Sequence, residues 1–580
     1  MVRHALDTDL IRVQSLSNLN FVLPCGRLTV HGKFVAKYSR KDAKAQRAIS
    51  FASLREYPFP TPNDRFQTQN LILYINLEMP VMCKVILLLF FVSGTIFLLV
   101  GCNNSQQSVN EKNVQQGFEL SQKYCSSCHL FPRPDLLNKV TWADHVLPKM
   151  GNLIGFRRFA SDYIAVSDST NSLTLEEWRN IVRYYVSNAP EEVLGGKRFA
   201  RNIKMQLSDF VVEMPHTGIR NPATTAVLID AENKNIVFAD GSTEYCYTLS
   251  GGSLHDSVKI GIGVSNLRKD DTGLIALSMG VLYPSDARSG KLAIVPRNTG
   301  KTITLMDSLQ RPVHASYADL NGDSLEDIVI CEFGNTVGEL AWITKKGPEK
   351  YSKHILRALP GAVRTEIFDF NRDGLPDIMA LMAQGDEGIF IYYNTGGGSF
   401  KEERVLQFLP TYGSNYFELT DFNADGFPDI VASNGDNGDY PPILKPYHGI
   451  RIYLNNGRNQ FSEKLFLPLH GVGKVIARDF DADGDLDLAS ISYFPDYGKT
   501  PEESFIYWRN GGNLEFSPLS FAESIAGRWL TMDANDLDGD GDLDIVLGNA
   551  KFTLGTIPAA YMKKWNGYSP SVLILRNRLR

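Results

Sequence analysis

Residues 536–547 read Asp536-Leu-Asp538-Gly-Asp540-Gly-Asp-Leu-Asp544-Ile-Val-Leu547. Oxygen-bearing side chains at positions 1, 3, 5 and 9, with a backbone carbonyl at position 7, can wrap one hard cation. Glycine at position 6 permits the sharp turn that brings them together. This is the logic of an EF-hand loop without its closing glutamate at position 12. Four earlier stretches have the same spacing: Asp319-Leu-Asn321-Gly-Asp323-Ser-Leu-Glu-Asp327, Asp369-Phe-Asn371-Arg-Asp373-Gly-Leu-Pro-Asp377, Asp421-Phe-Asn423-Ala-Asp425-Gly-Phe-Pro-Asp429 and Asp479-Phe-Asp481-Ala-Asp483-Gly-Asp-Leu-Asp487. One match is a weak signal, and five in register are a strong one. Aspartate-rich turns also form without metal, but turn chemistry alone does not ask for three or four carboxylates in nine residues. The numbered residues of these five stretches are the candidate calcium ligands.

Each loop runs into a short apolar strand, such as Asp327-Ile328-Val329-Ile330. A second strand and turn follow farther on: Ile391-Tyr392-Tyr393-Asn394 into Gly396, Ile452-Tyr453-Leu454-Asn455 into Gly457, and Ile506-Tyr507-Trp508-Arg509-Asn510 into Gly511. Each unit is therefore several strands joined by hairpin turns. Successive loops begin 50, 52, 58 and 57 residues apart, a spacing that suits four-stranded propeller blades. Two worn copies precede them: Val227–Asp230 leading into Asn235–Phe238, and Asn266-Leu267 leading into Gly273–Leu277. Five full and two reduced copies predict an all-β propeller of seven blades over residues 205–580.

The spacing and the loops resemble the FG-GAP/VCBS repeat family, which implies an integrin-like β-propeller with calcium in its hairpin loops. The loop positions carry over cleanly in four units. In the first, Ser324 stands where the position-6 glycine is expected.

The strand entering each loop should be the innermost one of its blade. Five residues before each first aspartate stand His314, Arg364, Tyr416, Lys474 and Thr531, with Arg528 nearby. Polar side chains at equivalent positions converge at the channel mouth on the face away from the acidic loops. They are either plain channel lining or a pocket for a small anionic or polyhydroxy ligand. In the second case His314 could serve as a base, with Arg364, Lys474 and Arg528 facing negative charge.

Upstream, Lys123-Tyr124-Cys125-Ser126-Ser127-Cys128-His129 contains C-x-x-C-H on a helical stretch, the attachment signature of c-type haem. Two thiols add to the haem vinyl groups, and the adjacent histidine sits under the iron. A zinc site would need further ligands, and no second cysteine pair exists. Trp142 to Met150 resembles the W-x-x-x-V-x-x-M stretch of small class I cytochromes, which implies Met150 as the second axial ligand, with His145 as its rival. A closing amphipathic helix presents Trp178, Ile181, Val182 and Tyr185 at helical spacing, ready to pack on the first helix. Residues 114–190 thus read as a small all-α cytochrome c domain.

Residues 85–100, VILLLFFVSGTIFLLV, end at Gly101-Cys102. Lys84, the apolar core and the small residues before the cysteine make a secretory signal over 82–101. The Leu-Val-Gly-Cys ending resembles a bacterial lipobox, which implies acylation of Cys102 and a lipid-anchored protein facing the periplasm or cell surface. Residues 102–113 read as a polar linker. Residues 1–81 lack a sustained period and read as an over-extended start or an unstructured extension.

The whole chain of 580 residues is 43% hydrophobic and 21% charged, with a net charge of −6. That balance gives no reason to expect a nucleic acid partner. Seven cysteines are too few for a disulfide scaffold, and Cys246 and Cys331 read as buried thiols. The leading expectation is an electron-transfer lipoprotein with haem c and calcium, whose propeller docks a redox partner protein or binds substrate. The alternatives are a propeller dehydrogenase that reduces its own haem, and an adhesion or binding propeller with a redox-sensing haem.

Overall fold

The computed structural model describes residues 19–23, 26–30, 109–166, 173–193, 203–347, 351–438, 442–552, 555 and 557–579. The signal segment 82–101 and Cys102 lie outside them, as do Cys25 and Cys83. The chain forms two units, Met1–Lys112 and Asn113–Arg580. In the first, Leu19–Leu23 and Gly26–Val30 pair as an antiparallel hairpin, so the stretch expected to lack structure contains one local element.

From Phe210 to Asn577 the chain forms seven four-stranded antiparallel sheets. The two worn copies are complete blades, opening with Thr224–Asp230 and Val264–Asp270. The five full copies open with Pro312–Ala318, Ala362–Phe368, Ser414–Thr420, Val472–Arg478 and Trp529–Asn535. These first strands touch one another in sequence, and the last touches the first, so they form the inner ring of a closed seven-bladed β-propeller. The second strands explain the packing. Asp327–Glu332, Asp377–Met382, Asp429–Asn434, Asp487–Ser492 and Asp544–Asn549 are buried along their whole length. Sheets covered on both faces need apolar residues on both. Ile328-Val329-Ile330 and Ile545-Val546-Leu547 supply such runs, and the cores lie between neighbouring blades.

The seventh blade is built from both ends of the propeller. Its outer strand is Phe210–Glu213, which pairs antiparallel with Val572–Asn577, Phe210 opposite Asn577. This closure leaves no open gap in the ring. Phe210 packs edge-on against Phe480 and Tyr507, with ring centroids 6.3 and 5.7 Å away. Cys246 and Cys331 are buried in the blades, as expected of structural thiols, and burial pushes each thiol up to about 12.

Ahead of the propeller lies a small domain. A helix runs through 109–125, so it includes residues 109–113 that the polarity of the segment suggested as linker. A second helical stretch comprises Lys139–Thr141, a wide π turn at Trp142–Val146, and Leu147–Leu153. The closing helix Leu175–Asn188 starts with a full capping box between Thr174 and Glu177. Trp178, Ile181 and Tyr185 are buried on its inner face, as the helical spacing predicts. A Cβ on Gly117 would come within 2.0 Å of the Asn180 carbonyl oxygen, so glycine permits the closest approach of first and last helix. The domain is not purely helical, which corrects the all-α expectation. Phe156–Phe159 and Asp162–Ala165 form a hairpin between the last two helices. Gly155 and Ala160 take positive φ at its edges, and the aromatic and β-branched residues Phe156, Phe159, Tyr163 and Ile164 favour extended backbone.

Because the strand carrying Phe210 closes the ring on a strand far away in sequence, with Glu213 accepting from Arg576 363 residues on, truncation of Phe210 should be felt by the whole propeller. Phe210→Ala should lower stability by about 3 kcal/mol, read as a shifted urea midpoint. An unshifted midpoint would mean that the closing strand contributes little.

Candidate functional site

The acidic loops join the first and second strands of blades three to seven, all at one face of the ring. Position 1 organises each loop. Asp319 Oδ1 accepts the Gly322 amide at 2.8 Å, and its Oδ2 accepts that of Ser324 at 2.8 Å. Asp369 and Asp421 accept the amides of Gly374 and Gly426 in the same way, each at 2.8 Å. Position 6 has positive φ in all five loops, including the non-glycine Ser324 at 64°. Position 4 has positive φ too: Gly322, Arg372, Ala424, Ala482 and Gly539. That second left-handed residue is not visible in the pattern of glycines, because three of the five have a side chain, at a cost of about 1 kcal/mol each.

The residues present fit a cation most fully in the last two loops. Carboxylate oxygens of Asp479, Asp481 and Asp483 lie within 4.8 Å of one another, as do those of Asp536, Asp538 and Asp540. Among the described residues, the buried Oδ1 atoms of Asp479, Asp481 and Asp538 have no hydrogen-bond partner. Burial, and then the neighbouring charge of Asp483, pushes the Asp481 carboxyl up. In the middle loops Asn371 and Asn423 replace one carboxylate, and each amide donates to Asp373 or Asp425 at 2.9 Å.

The position-9 aspartates stand apart from that oxygen cluster. Asp327, Asp377, Asp429, Asp487 and Asp544 are wholly buried. In each, one oxygen accepts the amide at loop position 2 and the other the amide of the last residue of the third strand. For Asp377 these are Phe370 at 3.0 Å and Asn394 at 2.7 Å; for Asp544, Leu537 at 3.0 Å and Asn577 at 2.8 Å. These carboxylates fasten one hairpin to the other, a role the ligand spacing did not reveal.

The channel residues occupy equivalent places near the start of the first strands, at the end remote from the acidic loops. His314, Arg364, Tyr416, Lys474 and Thr531 pair with Cys331, Leu381, Ser433, Ile491 and Gly548, each just after a bulge. Their charges are met by neighbouring groups rather than by one another. Arg364 donates to Glu366 at 3.0 Å and approaches His314 Nε2 at 3.3 Å. Its guanidinium lies 4.4 Å from the centre of the Tyr416 ring, and Lys474 Nζ lies 5.1 Å from it. Lys474 donates to the Met532 carbonyl at 2.7 Å. Burial lowers the His314 imidazole well below its usual range, with Arg364 and Lys474 adding to the effect. Burial likewise brings Lys474 down to about 8. Arg528 is not part of this group. It precedes its strand by one residue and turns away, donating to the carbonyls of Tyr493 at 2.9 Å and Phe552 at 2.8 Å.

In the small domain, Cys125 ends the first helix and Cys128 follows one turn later, its amide 3.5 Å from the Cys125 carbonyl. Burial pushes the Cys125 thiol up to about 11. His129 is half-buried, and its Nδ1 lies 2.8 Å from the Leu130 carbonyl, which leaves Nε2 for another partner. His145 lies half-buried in the π turn and Met150 is exposed on Leu147–Leu153. Leu153, Ile154, Phe159, Ile164 and Val166 are also exposed nearby in sequence. The domain meets the propeller through Tyr447, whose hydroxyl donates to the Leu136 carbonyl at 3.0 Å, and Ile443, which packs on the small domain's core.

The FG-GAP-like repeat family matches residues 319–380, 369–432, 421–490 and 479–547, so the propeller contains FG-GAP repeats in blades three to seven. A T-cell immunomodulatory protein homolog from Plasmodium falciparum (isolate 3D7) is 32% identical over 137 residues, which is 21% of this chain and 18% of that protein. The chain thus matches about a fifth of that relative's length. A chain of a solved Saccharomyces cerevisiae assembly of Dbp5, Nup159 and Gle1 with IP6 and ADP aligns with a TM-score of 0.37 and 10% identity. The alignment covers 64% of this chain and 97% of that one.

Lys474 gives a pH test. Its folded value of about 8 lies below the ordinary 10.5, so between these values the unfolded chain holds more protons and stability rises with pH. Lys474→Met should stabilise the protein at about pH 7 by roughly 1–3 kcal/mol, and the advantage should shrink above about pH 8. Urea unfolding at both pH values checks it; a variant less stable at neutral pH would contradict it.

Proposed function

We propose that the protein is an exported, lipid-anchored c-type cytochrome in electron transfer, whose calcium-stabilised propeller docks a redox partner or binds substrate. One arrangement supports the haem reading above all: two cysteines one turn apart at a helix end, followed by a half-buried histidine whose Nδ1 is engaged by a carbonyl. A ligating imidazole commonly gives its other ring N–H to a backbone oxygen, which fixes its tautomer and orientation. Cys125 and Cys128 would hold haem covalently, and His129 Nε2 and Met150 Sδ would be its axial ligands. Bound there, haem would supply a one-electron couple.

The surrounding residues suit such a group. Met150, Leu153, Ile154, Phe159, Ile164 and Val166 form an unusual share of exposed apolar side chains for so small a domain, and an apolar macrocycle would cover such residues. Tyr185, with its hydroxyl donating to the Pro132 carbonyl at 3.0 Å, and Trp142, with its indole donating to Pro134 at 2.8 Å, fix the backbone after the histidine. Calcium is supported by the convergent carboxylates and orphaned oxygens of the last two loops. Anchoring through Cys102, in the cell envelope, rests on the sequence of the signal segment alone. Among the described residues no helix is long and apolar enough to cross a membrane.

Expressed in a host that matures c-type cytochromes, the protein should retain haem through denaturing electrophoresis, and the double variant Cys125→Ser, Cys128→Ser should lose it. Met150→Ala should abolish a sulfur-to-iron charge-transfer band of the oxidised protein. Haem that washes out of the native chain on denaturation would overturn the attachment, and a band that survives Met150→Ala would overturn the axial assignment.

A further inference from the structure

The acidic loops of blades six and seven differ from the other three at two linked places. Position 3 is an aspartate, Asp481 or Asp538, where the earlier loops have Asn321, Asn371 and Asn423. The third strands of the same two blades, Phe505–Asn510 and Val572–Asn577, have an arginine as their penultimate residue, Arg509 or Arg576. The third strands of blades three to five have Thr344, Tyr393 and Leu454 there. Where position 3 becomes a carboxylate, the same blade supplies a guanidinium.

The two groups meet in space. Arg576 Nη1 donates to Asp538 Oδ2 at 2.8 Å, and Arg509 Nε lies 3.4 Å from Asp481 Oδ2. The other oxygen of each carboxylate, Oδ1, is buried and has no hydrogen-bond partner among the described residues. Each position-3 aspartate thus has one oxygen on a guanidinium and one left over in the carboxylate cluster. The arginines are fixed from behind as well. Arg576 Nε donates to Glu213 at 3.1 Å, and Arg509 pairs with Asp209, both acids belonging to the segment that closes the ring. Lys234 brings a further positive charge to loop seven, donating to the Asp538 carbonyl at 2.5 Å. In the first, worn blade a cation of the chain itself meets the remaining aspartate: Asp230 pairs with Lys269 of the next blade.

The affinity of an aspartate loop for calcium is set by the charge of its ligands and the rigidity of the site. A third carboxylate strengthens the attraction for a divalent cation, and a fixed positive charge a few ångströms behind it weakens that attraction. We propose that Arg509 and Arg576 set the calcium affinity of loops six and seven. Each guanidinium holds the position-3 carboxylate in place while the loop is empty, offsetting the repulsion among three aspartates, and its charge weakens the hold on calcium. The closing blades can then release the cation without losing their loops. This inference rests on the reading of the loops as calcium sites.

Calcium titration of the chelated full chain, read by competition with a chelating dye, tests the proposal. In the double variant Arg509→Gln, Arg576→Gln two sites should bind calcium about 10-fold more tightly than in the native chain. The double variant Arg509→Lys, Arg576→Lys keeps both charges and should give the native isotherm. Thermal unfolding supplies a second readout: the glutamine variant should melt below the native chain after chelation and recover most of the difference in calcium. Unchanged or weaker calcium binding in the glutamine variant, or equal tightening by lysine, would overturn the assignment. A native chain that binds no calcium would overturn the reading of the loops and this inference with it, whereas calcium binding that is indifferent to the arginines overturns this inference alone.

Discussion

The propeller depends on a buried carboxylate repeated in five blades. The aspartate that ends each acidic loop also starts the second strand, and its two oxygens hold the amide at loop position 2 and the amide that ends the third strand. The asparagines next to these contacts extend the fastening between blades. Asn394 donates to the Leu320 carbonyl of the preceding blade, Asn577 to that of Phe480, and Asn459 to that of Phe370. A hydrogen-bonded, wholly buried carboxylate fixes register, yet burial also raises its proton affinity. Asp487 and Asp544 are pushed up to about 6 in this way. With folded values above the ordinary 3.8, these groups lose stability as pH rises from about 4 to about 6. A cation in the adjoining loop would counter that loss, which links the loops' chemistry to the blades' cohesion.

Much of this architecture is legible in the sequence because the acidic loops are local and periodic. The spacing of Asp319, Asp369, Asp421, Asp479 and Asp536 marks the turn between first and second strands, and the worn copies near Asp230 and Asn266 supply the remaining blades. Features that depend on distant partners are not legible. Phe210–Glu213 is a short strand whose role is defined only by Val572–Asn577. The position-9 aspartates look like further ligands in the sequence, because the amides they hold lie up to 33 residues away, as Asn577 does from Asp544. In the small domain, the helical spacing of Trp178, Ile181 and Tyr185 was readable, but the hairpin at Phe156 was hidden between two helical patterns.

The polar residues near the start of the first strands show how placement decides chemistry. His314, Arg364, Tyr416 and Lys474 share a strand position, and the ring brings them together beside Glu366 and the Met532 carbonyl, which receive the two cations. Arg528, three residues before Thr531, looks like a fifth member. It lies just outside its strand, so the chain carries it onto the outer face among aromatic rings. That face also receives the small domain through Tyr447 and Ile443.

The central claim, that the acidic loops hold divalent cations on which the propeller depends, is tested most directly by thermal unfolding of the full chain with calcium and after chelation, followed by far-ultraviolet circular dichroism. The last two loops each gather three carboxylates within 4.8 Å. Like charges at such distances repel by roughly 1 kcal/mol per pair in water and by several at a protein surface, and bound calcium reverses that sign by mass action. Chelation should lower the melting temperature of the β structure by many degrees, and added calcium should restore it. Identical melting with and without chelator would show the loops to be plain turns and contradict the account.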